Sequence, residues 1–229
     1  SWQPRKIDMI AGGASFAPRR WSLPASAIDA RSRSAWTGMP RITASGANEA
    51  ECDARIAPTE AEIRELLGVL VFGVEDDELQ HAVVRLLKER GETVAVAECA
   101  TDGLVDHWLA DADAESSTLL GGIVVHETEA MSALLDIRAA DPASEGTAEA
   151  MATVIRELTG ATYGLAIAAM PAEAAAANGG EREGTLQLAL AVGENALVKG
   201  YPLTGHPAIV RTRAAKQALN LLRLALLNG

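Results

Sequence analysis

The chain has 229 residues, of which 48% are apolar and 22% charged, with a formal net charge of −11 and few aromatics. That length accommodates one large domain or a domain with an extension, and the composition is that of a globular protein with an aliphatic core. No apolar run reaches the roughly 18 residues a membrane span needs, and no apolar stretch follows the basic start Ser1-Trp2-Gln3-Pro4-Arg5-Lys6, so neither a membrane segment nor a secretory signal is expected.

The charge is unevenly spread. Residues 1–41 carry seven Lys/Arg against two Asp/Glu, and the remainder thirteen against twenty-nine. An acidic body speaks against nucleic-acid binding, in which phosphate neutralisation dominates. The two cysteines, Cys52 and Cys99, lie far apart, so no structural disulfide is expected and a reducing cytoplasm is the simplest setting.

In chain order, residues 1–40 show no sustained periodicity and read as an irregular basic arm with Trp2, Trp21 and Trp36 scattered in it. Arg41–Gly46 reads as a short strand and Glu49–Ile56 as helical. A new helix is expected from Pro58, with Thr59 and Glu62 at capping-box spacing and Ile63, Leu66, Leu67 and Leu70 on its buried face. Val71-Phe72-Gly73 breaks that pattern. Leu79, Ala82, Val83, Leu86 and Leu87 then form an apolar stripe ending at Gly91, a C′ glycine.

Thr93–Met131 is the organising stretch. Val94–Ala97 is a short apolar run, Cys99–Gly103 a tight turn, Leu104, Val105, Trp108 and Leu109 one face of a helix, and Leu119–Val125 a second apolar run. This is a βαβ unit with parallel strands, and ligands of such sheets collect beyond the strand carboxyl ends. His107 and Asp111 share a helix face, but with Asp106 and Asp113 they read as a solvated acidic surface; no metal and no cofactor are expected. Further on come helices at about Thr128–Leu135 and Ser144–Leu158, a strand at Tyr163–Ala169, a loop over 172–183, a hairpin of Thr185–Val192 with Asn195–Tyr201, and a last helix with Pro207 at its first position. The alternation points to an α/β fold: a three-layer α/β/α sandwich with a mostly parallel mixed sheet, from about residue 76 to the end.

Several stretches carry a family resemblance. Ala97-Glu98-Cys99-Ala100-Thr101-Asp102-Gly103, Glu115-Ser116-Ser117, Gly121–Met131 and Leu134-Leu135-Asp136-Ile137 resemble the AESCTGG, GSS, GGxVxYSNEAK and LLGV motifs of the CinA (competence/damage-inducible) family's C-terminal domain. That family includes nicotinamide mononucleotide deamidases. The resemblance covers about residues 60–229. It implies a C-terminal-like domain over 76–229 and a remnant of the family's middle domain, with its connecting helix, over 41–75. No stretch resembles the family's large molybdopterin-binding-like domain.

In the deamidases the serine of AESCTGG and the tyrosine and lysine of YSNEAK form the catalytic group. Here those positions are Cys99, His126 and Met131, and the TGIAGPxGG pocket segment is Ala168-Ala169-Met170-Pro171. Two readings follow. In the first, Cys99 is a nucleophile whose thiolate is favoured at a helix N-terminus, His126 is its base, the N–H groups of Ala100–Gly103 hold the oxyanion, and Glu98, Thr101, Gly103, Gly121 and Gly122 line a site for a nicotinamide nucleotide or related small carboxamide. In the second, the domain is an inactive homologue kept for nucleotide sensing or assembly. Self-association into a homo-oligomer is expected, with neither nucleic acid nor membrane as partner.

Overall fold

The computed structural model describes residues 2–10, 37–38, 41–170 and 182–228. They form two units, Ser1–Ala82 and Val83–Gly229, with the division falling inside a helix.

In the first unit, β1 (Trp2–Ile10) is the central strand: it pairs antiparallel with β2 (Thr37–Gly38), β3 (Arg41–Ser45) and β4 (Val71–Val74). Two expectations are corrected here. The arm over 1–40 is not wholly irregular, because Trp2–Ile10 is a strand. Its alternation is interrupted by Pro4 and by charged residues, and pairing on both edges supplies the order that local pattern does not. Val71-Phe72-Gly73, expected as a break, is strand β4, a short apolar run whose length alone cannot separate strand from helix.

Helix α1 (Glu49–Leu67) runs unbroken through Pro58. Its N-cap is therefore Asn48, whose side chain accepts from Glu51 N at 2.9 Å while Glu51 Oε2 accepts from Ala47 N at 2.9 Å, and not Thr59. An interior proline costs about 3 kcal/mol. Continuity of the buried face offsets it: Ile56 and Ile63 flank Pro58 and pack with Ile42 of β3 and Val71 of β4.

The second unit begins within α2 (Leu79–Arg90), which ends as expected at Gly91, φ 63°. Its sheet has the order β6-β5-β7-β8-β9, from β5 (Val94–Glu98), β6 (Leu119–Val124), β7 (Tyr163–Ile167), β8 (Arg182–Val192) and β9 (Asn195–Gly205). β5 pairs parallel with β6 and β7; the β7–β8 and β8–β9 pairs are antiparallel. Helices cover both faces, so the α/β/α sandwich stands, with parallel and antiparallel pairings in equal number. The hairpin strands are longer than the pattern suggests, beginning at Arg182 and reaching Gly205. Of the loop expected over 172–183, residues 182 and 183 belong to β8, and 172–181 lie outside the described residues.

The two faces differ in side-chain size. On one, Ala95, Ala97, Ala166, Ala168, Ala189 and Ala191 meet Ala148, Met151, Ala152 and Ile155 of α5 (Glu145–Thr159), which starts from the expected cap Ser144. The approach is so close that a Cβ on Gly164 would lie 1.9 Å from the Ala152 carbonyl oxygen. On the other face, Leu165, Ile167, Leu188 and Leu190 are buried with Val105 and Leu109 of α3 (Leu104–Ala112) and Ala214, Leu219 and Leu222 of α6 (Pro207–Asn228). Small residues bring α5 down onto the sheet, and larger ones fill the layer under α3 and α6. Helix α4 (Thr128–Leu135) lies with α5.

Candidate functional site

At the carboxyl end of β5 the chain turns through Cys99–Gly103 into α3. Pairing with β7 persists into this turn: Cys99 N donates to Ile167 O at 2.9 Å and Ala100 N to Ala168 O at 3.3 Å. The turn closes with Asp102 at φ 52° and Gly103 at φ 81°, both left-handed.

Because successive strand residues face opposite sides, Glu98 and Cys99 part company. Glu98 points to the α3 side and is fully buried. Its carboxylate accepts from Thr101 Oγ1 at 2.5 Å, Val105 N at 3.1 Å and Asp106 N at 2.7 Å, so it takes the free N–H groups that open α3. Burial pushes its carboxyl up; the hydrogen bonds oppose the shift and the neighbouring Asp106 carboxylate adds to it. Thr101 is fully buried against Glu98. Gly122 is where Asp106 crosses β6, and a Cβ there would lie 2.4 Å from Asp106 Oδ1. That oxygen is buried with no hydrogen-bond partner, and burial pushes the Asp106 carboxyl up as well. Gly103 faces Val124, and the space beside Gly121 is open. Of the five residues expected to line a substrate site, Glu98, Thr101 and Gly122 are thus committed to seating α3.

Cys99 points to the other side, into the apolar cluster that contains Val125, Met131 and Ala168. Burial, with the Glu98 charge behind it, pushes the thiol up to about 11. This runs against the expectation of a helix-favoured thiolate, because desolvation dominates and the N–H groups of the α3 start already serve Glu98. In the turn itself, Ala100 N and Asp102 N are bonded to the carbonyls of Ala168 and Cys99.

His126 follows β6 and is exposed, its side chain 64% accessible. Its partner is Asp102, with Nδ1 3.6 Å from Oδ1, and Arg211 Nη2 of α6 lies 2.5 Å from Asp102 Oδ2. No hydrogen bond joins His126 to Cys99. Met131, at the family's lysine position, is 1% exposed in the same cluster as Cys99. Of Cys99, His126 and Met131, two share one apolar cluster and the third, His126, sits on the surface.

The acidic surface expected along α3 needs correcting. Asp113, just past the helix, is 1% exposed. Its carboxylate accepts from Thr118 N at 2.7 Å, Thr118 Oγ1 at 3.0 Å and Leu119 N at 3.2 Å, with Lys88 Nζ 3.3 Å away. It organises the entry into β6. No group of three or more His, Cys, Asp or Glu among the described residues is arranged to hold a metal ion.

Sequence reasoning passed over Asp102 and Arg211. The first had a signal, an aspartate standing where the resembling motif has glycine. The second had none, since nothing local says that the start of α6 meets the β5–α3 turn.

Comparison with known proteins bears on this geometry. Residues 76–226 match the model of the CinA C-terminal domain, and residues 40–73 that of the damage-inducible protein CinA KH domain. A CinA-like protein of Frankia casuarinae is 37% identical over 188 residues, covering 80% of this chain and 43% of that protein. A CinA-like protein of Myxococcus xanthus is 35% identical over 196 residues, covering 82% and 46%. This chain therefore spans under half the length of these relatives. Among solved structures, a competence-damaged protein (CinA) superfamily protein from Klebsiella pneumoniae superposes with a TM-score of 0.59 at 25% identity, covering 66% of this chain and 97% of that one.

Proposed function

The chain belongs to the CinA C-terminal domain family, and from that membership we propose that it is a non-hydrolytic member, a domain that keeps the family's βαβ frame and no longer cleaves amides. One observation carries this reading: Cys99 and Met131 are packed together in an apolar cluster, with the thiol pushed up to about 11 and His126 engaged elsewhere. At neutral pH such a thiol is ionised on the order of once in ten thousand molecules, and among the described residues no base is bonded to it. A buried methionine cannot replace a proton-carrying lysine.

The role that remains is recognition or assembly. The ligand class is a nicotinamide nucleotide or a related small carboxamide, bound without turnover. Nucleic acid is not the partner, because the body is acidic. No described helix is long and apolar enough to cross a membrane; a reducing cytoplasm is the setting proposed. Self-association is tested by light scattering.

The decisive measurement is ammonia release from nicotinamide mononucleotide by the unmodified protein. None above the uncatalysed rate is expected. Release that disappears in Cys99→Ala would overturn the reading. Thermal melting with added nicotinamide nucleotides separates the two remaining roles: a saturable rise in Tm marks recognition, and no rise marks assembly alone.

A further inference from the structure

Asp102 is the sole acidic residue of the Cys99–Gly103 turn, and side chains from two other segments converge on it. The Arg211 guanidinium of α6 holds Oδ2 at 2.5 Å, and His126, from the segment after β6, approaches Oδ1 at 3.6 Å. Asp102 reaches this position from a left-handed backbone, φ 52°, a conformation costly for most side chains and better tolerated by aspartate. A guanidinium on one oxygen and an imidazole facing the other is how a free oxyanion would be held. Here the anion is part of the loop.

We propose that Arg211 and His126 form an oxyanion subsite at the carboxyl end of the sheet, and that Asp102 is its tethered occupant, excluding the phosphate or carboxylate of a small ligand. Side chains from two segments flank the two carboxylate oxygens, Arg211 as an ion pair and His126 at 3.6 Å, a charged partner when protonated. A group tethered this closely competes at an effective concentration on the order of millimolar or more. External anions at lower concentration are shut out until Asp102 leaves. The contact is thus self-inhibitory, and it stands whether or not the domain hydrolyses amides.

The test is calorimetric titration of inorganic phosphate, and separately of acetate, into the full chain and its variants. Asp102→Gly suits the left-handed backbone and frees both donors. It is expected to bind phosphate saturably and roughly tenfold or more tighter than the unmodified chain, with the gain lost in Asp102→Gly/Arg211→Gln. Asp102→Asn, which also tolerates this backbone, carries the same test should the glycine variant fail to fold. A stronger gain for phosphate than for acetate assigns the subsite to a phosphate ligand, and the reverse to a carboxylate. Equal binding of both anions by the Asp102 variants and the unmodified chain, or a gain that Arg211→Gln leaves intact, would overturn the proposal. Because no amide is cleaved in this experiment, its outcome is independent of the ammonia assay.

Discussion

Helix α3 has a buried carboxylate at each end, and the two are held in opposite ways. Asp113, at the C-terminal end, accepts hydrogen bonds from Thr118 and Leu119 and lies 3.3 Å from Lys88 Nζ. Burial pushes its carboxyl up, but the Thr118 and Leu119 hydrogen bonds and Lys88 outweigh it and bring it down to about 2. Glu98, at the N-terminal end, has three donors and no cation paired with it among the described residues, and the Asp106 carboxylate is beside it. Its carboxyl is raised. At Asp113 the hydrogen bonds outweigh burial, with Lys88 adding to them, and at Glu98 burial outweighs the hydrogen bonds; that balance separates a carboxylate that anchors the fold from one whose charge is an expense to it. The end of the unit facing the candidate site holds the uncompensated charge, as functional sites often do.

The largest expected effect is at the anchoring end. Asp113→Ala leaves the buried N–H and hydroxyl of Thr118 and the part-buried N–H of Leu119 without their acceptor, while Lys88 keeps Glu115, and we expect a loss of about 2–3 kcal/mol in denaturant unfolding. Glu98→Gln is expected to cost only about 1 kcal/mol, because it keeps an acceptor oxygen while removing the unfavourable charge. Equal losses at the two sites would break the comparison.

The pH dependence sharpens it. Asp113 is depressed from 3.8 to about 2, so its contribution is complete above the unfolded value and is lost as pH falls between the two. Glu98 is raised, so the folded state holds its proton more tightly, and stability declines as pH rises from the ordinary carboxylate range to the raised value. In melting curves across acidic pH, Asp113→Asn should remove the acid-side loss and Glu98→Gln the decline above it. A Glu98→Gln profile superimposable on the unmodified one would count against an elevated Glu98.

The smallest effect is next door. Cys99→Ala is expected to cost about 1 kcal/mol, the loss of a small buried hydrophobe. Iodoacetamide should also modify native Cys99 far more slowly than a cysteine in a short peptide. Fast alkylation of the folded protein would show the thiol to be accessible and ionised.

Much of the fold was legible along the chain. The run Val94–Ala97, the turn and the stripe Leu104–Leu109 marked the βαβ unit, and Ser144, Gly91 and Pro207 marked helix ends through local capping and backbone chemistry. Local signals failed where a nonlocal partner decides: Pro58 sits inside α1 because its helix face stays buried, and Trp2–Ile10 is a strand because neighbours pair with it. The candidate site was legible as a place and far less as chemistry. The turn, Cys99 and His126 are all at the carboxyl end of the sheet, and strand parity then sends Glu98 and Cys99 to opposite faces.

By itself, then, the sequence determined the βαβ frame and its family, because each is a matter of residue identity and short-range periodicity. Only the tertiary structure decided the surroundings of Cys99, His126 and Met131. Whether a thiol is ionised or dry, whether a carboxylate is anchored by Lys88 or left beside Asp106, and whether His126 meets Cys99 or Asp102 all depend on burial and on charges from distant segments. Those interactions act through space, across separations along the chain that no local pattern encodes.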